Sequence, residues 1–187
     1  MELPLSLAVR GKSLKSVMGD KDKEKLIRRL KDTGVVKREQ VVLKHAGTSA
    51  LYIDIKKVYG YPDILAILVE LIRGHISKEV NCIAACGYGG LPLAGALAIK
   101  HKLHLVLVRE ESKKHGRNVW IDGYAPKSGD KIWIVDDVFT TGGSIKHIMR
   151  ILKPTGVKVI GCSVVVKRTN KKIPIQCKYI LFINDLL

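Results

Sequence analysis

A chain of 187 residues with 47% hydrophobic content is long enough for a single domain with a buried core. Its formal net charge of +16 points to an anionic partner, but the Lys and Arg residues are spread along the chain, cluster only modestly at 21–31 and 167–172, and accompany no nucleic-acid-binding motif. No apolar run approaches the roughly 18 residues that a membrane-spanning helix needs, and the start MELPLSLAVRGKS carries Glu2 and too short an apolar piece for a secretory signal; the expectation is a cytoplasmic protein that engages neither membrane nor nucleic acid.

Residues 1–20 show no period and read as an extension, leaving 21–187 as one domain. From 20 to 30 Leu26, Ile27 and Leu30 fall at helical spacing, with Gly34 as a C-terminal stop. A short strand is expected at 39–44, a turn at 44–49, and a second strand at 51–57, where apolar and polar residues alternate. Residues 21–60 would then form a small hood over the remaining sheet. Pro62 suits a first helical residue, and DILAILVELI continues as an apolar helix. A buried strand at 80–86, a glycine turn at 87–90, a helix at 91–100 and a strand at 103–108 follow. Residues 109–120 form a charged loop without hydrophobic period. Gly129 and Asp130 turn the chain into a strand at 132–135; then come a helix at 143–152, a strand at 157–166, a basic loop at 167–172 and a last strand at 179–183. Strands alternating with helices predict an α/β fold with a mostly parallel sheet. Cys82, Cys86, Cys162 and Cys177 fit no zinc or redox spacing, and the six histidines have no ligand spacing either, so no protein-held metal is predicted.

The chemistry concentrates in IWIVDDVFTTGGS, residues 132–144. Asp136 and Asp137 follow the apolar run Ile132–Val135 at the strand's carboxyl end, where open α/β sheets bind ligands. Thr140, Thr141, Gly142, Gly143 and Ser144 then lead into a helix. Glycines let backbone N–H groups close on an anion, a helix N-terminus favours one, and the hydroxyls can donate to it. Two carboxylates beside such a cradle would repel a second phosphate and instead suit vicinal hydroxyls. A ribose 5-phosphate meets both demands. No Lys directly follows the glycines, which excludes a Walker A loop; the plain alternative is an ordinary strand–loop–helix junction with solvated acids.

This stretch resembles the phosphoribosyl-diphosphate (PRPP) signature of the type I phosphoribosyltransferases. The runs LKHAGTSALYIDIKK, GYGGLPLAGALA and VREESKKHG are similar to the entrance segment, diphosphate loop and mobile loop of orotate phosphoribosyltransferases. The resemblance implies the type I phosphoribosyltransferase fold, a Rossmann-like sheet flanked by helices with an N-terminal hood, and a homodimer whose loop reaches the neighbouring site. It implies PRPP carried with Mg2+ and, as acceptor base, orotate. The 5-phosphate would lie on Thr140–Ser144, in the motif that also holds Val138 and Phe139, with Asp136 and Asp137 on the ribose hydroxyls. The backbone of Tyr88, Gly89 and Gly90 would take the diphosphate, joined by Arg109, Lys113, Lys114 and His115. Lys113, His115, Asp136 and Asp137 would act in catalysis. Lys44 matches a position near PRPP and base, Tyr52 and Ile53 positions packing on the base, and Thr140 and Arg168 positions touching orotate.

Two residues depart from the pattern. Glu110 stands where the family usually has a second Lys, and Gly89 where many members have a Lys. Two further readings therefore stay open. One is a phosphoribosyltransferase for a purine base, which would not need Arg168. The other is a PRPP-sensing transcriptional regulator without catalysis, although no helix-turn-helix segment is legible before the fold.

Overall fold

The computed structural model describes residues 19–37, 41–43, 47–49, 52–113 and 120–187. The expected extension up to residue 18, and Lys44, Lys114 and His115, lie outside them. Along the chain run helix α1 (Asp20–Asp32), strands β1 (Val36–Lys37), β2 (Val41–Leu43), β3 (Gly47–Ser49) and β4 (Tyr52–Ile53), and a 3-10 turn (Ile55–Gly60). Then come α2 (Pro62–Arg73), β5 (Cys82–Cys86), α3 (Gly87–His101), β6 (His104–Val108), β7 (Ile121–Gly123) and β8 (Lys131–Phe139). Helix α4 (Gly143–Leu152), β9 (Lys158–Lys167), β10 (Cys177–Phe182) and a final 3-10 turn (Ile183–Leu186) complete the order.

Six strands form one sheet in the order β10-β9-β8-β5-β6-β7. Every pairing is parallel except that of β6 with β7, so the predicted mostly parallel sheet is present. Alternation along β8 divides the core into two layers. Trp133 and Val135 face the layer that holds α1, α2 and α3, while Ile132 and Ile134 face the layer under α4. β5 is buried at all five positions because it lies between β6 and β8 with a layer on each face. The Trp133 ring fits because residue 161 is glycine: a Cβ there would come within 2.6 Å of its Cζ3. The register of β8 on β9 shifts between Ile132 and Trp133, at the same place.

The structure corrects several local expectations. The strand expected at 51–57 is only β4; its alternation continues as a 3-10 turn, in which Ile55 and Val58, three residues apart, share the buried face. β3 occupies part of the expected turn at 44–49, pairing with β2. β7, an antiparallel edge strand, follows the charged loop and was not foreseen. The glycine turn at 87–90 is the first turn of α3, and β10 begins at Cys177 rather than at 179. In the segment expected to form a hood, Leu26, Leu30, Val35, Ile53, Ile55 and Val58 all join the main core layer.

A buried polar group fastens α2's exit to the sheet. His75 Nδ1 lies 3.0 Å from Ser163 Oγ, which accepts from Trp133 Nε1–H at 2.9 Å. Burial, helped by the nearby Lys178 ammonium, pushes the His75 imidazole down to about 4. It is neutral at physiological pH.

Candidate functional site

The acid pair lies inside β8 rather than beyond it, since β9 pairs with that strand as far as Phe139. The register sets Asp136 opposite Val164 and resumes at Val138, so Asp137 lies between two paired positions. The Asp137 N–H donates to Asp136 Oδ1 at 3.0 Å, and the Val138 N–H donates to Asp137 Oδ1 at 2.7 Å. Asp136 is buried and Asp137 half-buried. Burial, and then the charge of Asp137, hold the Asp136 carboxyl well above the usual carboxylate range; hydrogen bonds from the Asp137 backbone and from Ser144 oppose this in part. The two carboxyls lie side by side, where their oxygens could meet adjacent hydroxyls.

After β8 the chain turns on Gly142, the residue before α4, whose φ is +74°. A Cβ there would approach Ile173 Cγ2 to 2.8 Å and Phe139 Cε2 to 3.0 Å. Among the described residues no side chain caps α4, so its first N–H groups face the turn without helical partners. The same edge receives the end of β9. The Arg168 N–H donates to the Phe139 carbonyl at 2.9 Å, and Thr169 Oγ1 donates to the Thr140 carbonyl at 2.7 Å. Arg168 is therefore held beside Thr140, partly buried, and burial weighs against its charge.

The N-terminus of α3 closes on the acids from the other side. A Cβ on Gly90 would stand 2.6 Å from the Val135 carbonyl oxygen, and one on Gly89 2.5 Å from Asp137 Oδ1. A lysine at 89 would therefore have to displace the Asp137 carboxylate. From the 3-10 turn, Tyr59 Oη donates to the Gly89 carbonyl. Burial, then the charges of Asp137, Asp136 and Asp54, keep that phenol protonated by pushing it far above its ordinary range. Lys56 lies 3.0 Å from Asp54 and 4.0 Å from Asp137. Burial works against its charge, but the hydrogen bond with Asp54 and the field of Asp137 outweigh it and raise the ammonium above the usual lysine range.

The charged loop begins and returns at one place. The Arg109 N–H donates to the Trp120 carbonyl at 2.9 Å. Arg109 Nε and Lys113 Nζ both reach Asp122 of β7, at 2.7 and 2.5 Å. The hydrogen bond from Lys113, then the charge of Arg109, hold Asp122 below the usual carboxylate range. From α4, His147 Nε2–H donates to the Arg109 carbonyl at 2.8 Å, while its Nδ1 accepts from Arg150 at 3.0 Å. Glu110 is turned to the start of α3, where its Oε1 fills the space that a Cβ on Gly87 would take.

The expected residues thus fall into three groups. Asp136, Asp137, Thr140–Ser144, Arg168, Gly89 and Gly90 converge at the carboxyl edge of β8, and Tyr52 approaches it through Lys56, its Oη 3.4 Å from that ammonium. Tyr88, beside them in sequence, is 86% exposed. Arg109 and Lys113 are brought together on Asp122. Ile53 and Phe139 belong to the core by their side chains, and the Phe139 backbone faces the turn. Val138 is half-buried. Sequence reasoning missed Asp54, Lys56, Tyr59 and Asp122; all four owe their place to contacts between distant segments.

Fold and site together define an α/β protein that gathers acids, hydroxyls and two helix starts at the carboxyl edge of a mostly parallel sheet. The chain belongs to the phosphoribosyltransferase family: residues 56–185 match the phosphoribosyl transferase domain. It is 36% identical over 149 residues to the orotate phosphoribosyltransferase of Pyrococcus furiosus, covering 78% of this chain and 81% of that one. The orotate phosphoribosyltransferase of Methanocaldococcus jannaschii is 37% identical over 146 residues, covering 78% and 82%. The crystal structure of orotate phosphoribosyltransferase from Aeropyrum pernix superposes with a TM-score of 0.74 at 27% identity, over 87% of this chain and 96% of that one. An adenine phosphoribosyltransferase from Thermoanaerobacter pseudethanolicus, at 17% identity and a TM-score of 0.66 over 83% and 99%, shares the fold.

Proposed function

We propose that this protein transfers the 5-phosphoribosyl group of PRPP to orotate, giving orotidine 5-phosphate and diphosphate. The observation that carries the reading is the convergence of the Asp136–Asp137 pair, the uncapped start of α4 and the start of α3 at one sheet edge. The 5-phosphate would lie on the Thr140–Ser144 turn and the ribose hydroxyls on the acid pair. The diphosphate would lie on the first turn of α3. As the acceptor nitrogen attacks C1, diphosphate leaves and the ring gains oxocarbenium character. The Asp137 carboxylate favours that charge, while Lys113, with Arg109, leaves Asp122 to neutralise the departing diphosphate. Lys114, His115 and Lys44 are assigned to the same step by resemblance. Arg168 would grip the orotate carboxylate in a forked hydrogen bond. Its place beside Thr140 supports orotate over a purine.

Among the described residues no group of three or more His, Cys, Asp and Glu could hold a metal. Mg2+ is proposed to arrive on the phosphates of PRPP, where a hard cation with few protein ligands is expected. The outer side of α3 carries Tyr88, Pro92, Gly95 and Ile99 at helical spacing, with Tyr88 86% and Ile99 84% exposed. That apolar stripe supports a homodimer through α3. No helix of the described residues is long and apolar enough to cross a membrane, and the proposed setting is the cytoplasm. The test is turnover with PRPP, Mg2+ and, in turn, orotate, uracil, adenine, guanine and hypoxanthine. Nucleotide formation with orotate alone is the expected result. Turnover with a purine and none with orotate, or saturable PRPP binding with no turnover, overturns it.

A further inference from the structure

Two adjacent carboxylates on one strand repel, and each needs something to hold its direction. Asp136 is held by burial and by the Asp137 N–H. Asp137 has one oxygen engaged: Oδ1 accepts from Val138 N–H at 2.7 Å. Its other oxygen, Oδ2, faces Lys56 Nζ across 4.0 Å. That gap is too long for a hydrogen bond, so the lysine acts on this carboxylate as a counter-charge. Lys56 is itself anchored, 3.0 Å from Asp54 Oδ1, with the Tyr52 Oη at 3.4 Å and the Tyr52 ring centroid at 5.8 Å. Around Asp137 stand Asp136 from β8, Asp54, Lys56 and Tyr59 from the β4–α2 connection, and the Gly89 backbone from α3.

We propose that Lys56 is a positioning residue for phosphoribosyl transfer: it aims the Asp137 carboxylate at the ribose hydroxyls and ties that acid to Tyr52 on the acceptor side. This rests on the reading of the acid pair as the ribose site. A solvated lysine forming a surface ion pair contributes little to folding. What Lys56 sets is the direction of one carboxylate and its distance from the segment that meets the base.

The experiment compares wild type, Lys56→Met and Lys56→Arg in three measurements: PRPP affinity by calorimetry, turnover with orotate at saturating PRPP, and thermal midpoint. Lys56→Met is expected to weaken PRPP binding and to lower kcat, each about tenfold, with the melting midpoint within about 3 °C of wild type. Lys56→Arg, which keeps the charge, is expected to recover both to within about threefold. Wild-type values in Lys56→Met overturn the proposal. So does a loss that Lys56→Arg does not repair, or one that only follows a fall in melting midpoint. If the wild type fails to use orotate, the proposed reaction fails, while PRPP affinity across the three proteins still decides the role of Lys56.

Discussion

Gly142→Ala is the substitution whose cost can be worked most directly from the structure. At φ +74° an alanine sits in the left-handed region, which costs roughly 1–2 kcal/mol. Its methyl would also meet Ile173 Cγ2 at 2.8 Å and Phe139 Cε2 at 3.0 Å. Ile173 can give way, but Phe139 is 1% exposed and packed under α4, so overpacking adds roughly 1–2 kcal/mol. The sum is about 2–4 kcal/mol, which lowers the melting midpoint of a protein of this size by about 5–15 °C. The displaced turn also carries the start of α4, so PRPP affinity should fall about tenfold. Scanning fluorimetry and calorimetric titration with PRPP measure the two effects. Asparagine visits the left-handed region more readily, so Gly142→Asn should relieve the backbone part alone and melt between the two. A Gly142→Ala protein melting within about 2 °C of wild type, with unchanged PRPP affinity, would refute the reasoning.

Three more outcomes are expected. His75 is held near pKa 4 in the fold but titrates near 6.5 in the unfolded chain, so its contribution is complete above that value and is lost as pH falls toward 4. Urea unfolding should show a loss of about 1.4 kcal/mol from this group between pH 7.5 and 5.5, and a His75→Gln protein should lack that part of the slope; equal slopes would contradict the buried neutral imidazole. Glu110→Gln removes an acid from the start of α3 and should tighten PRPP binding about fivefold at low ionic strength, with the gain shrinking in 0.5 M salt; a calorimetric series at two salt concentrations checks this. Lys113→Ala should lower kcat about a hundredfold while PRPP affinity moves less than about threefold, if, as proposed, the lysine leaves Asp122 for the charge built up in the transition state; a tenfold rise in KM at normal kcat speaks against it.

Much of the donor side was legible because it is local. The β8–turn–α4 stretch places acids, glycines and hydroxyls within thirteen consecutive residues, and strand–turn–helix geometry does the rest. The sheet was legible for a similar reason, since apolar runs such as residues 82–86 and 132–135 have one natural burial. What escaped depends on distance along the chain. Nothing near Asp122 in sequence announces that Arg109 and Lys113 will meet on it, and β7 has only three residues to show. Lys56 was hidden by reading 51–57 as a strand, and Tyr59 follows in the same 3-10 turn; the three-residue spacing of Ile55 and Val58 was the available sign of that turn. Tyr52 and Ile53 were matched to the base by resemblance alone; along β4 the first is half-buried and the second buried.

The seating of Asp136 and Asp137 within a hydrogen-bonded ladder has a consequence for how such a protein diversifies. Acids rooted in a paired strand cannot follow a ligand, so on the proposed reading the sugar arrives in one pose and any adjustment falls to the segments around it. Those segments, residues 52–60 on one flank and the stretch leaving β9 on the other, are short and lie outside the ladder. A change of nucleobase could then proceed by exchanging a few of their side chains while the grip on the sugar stays untouched.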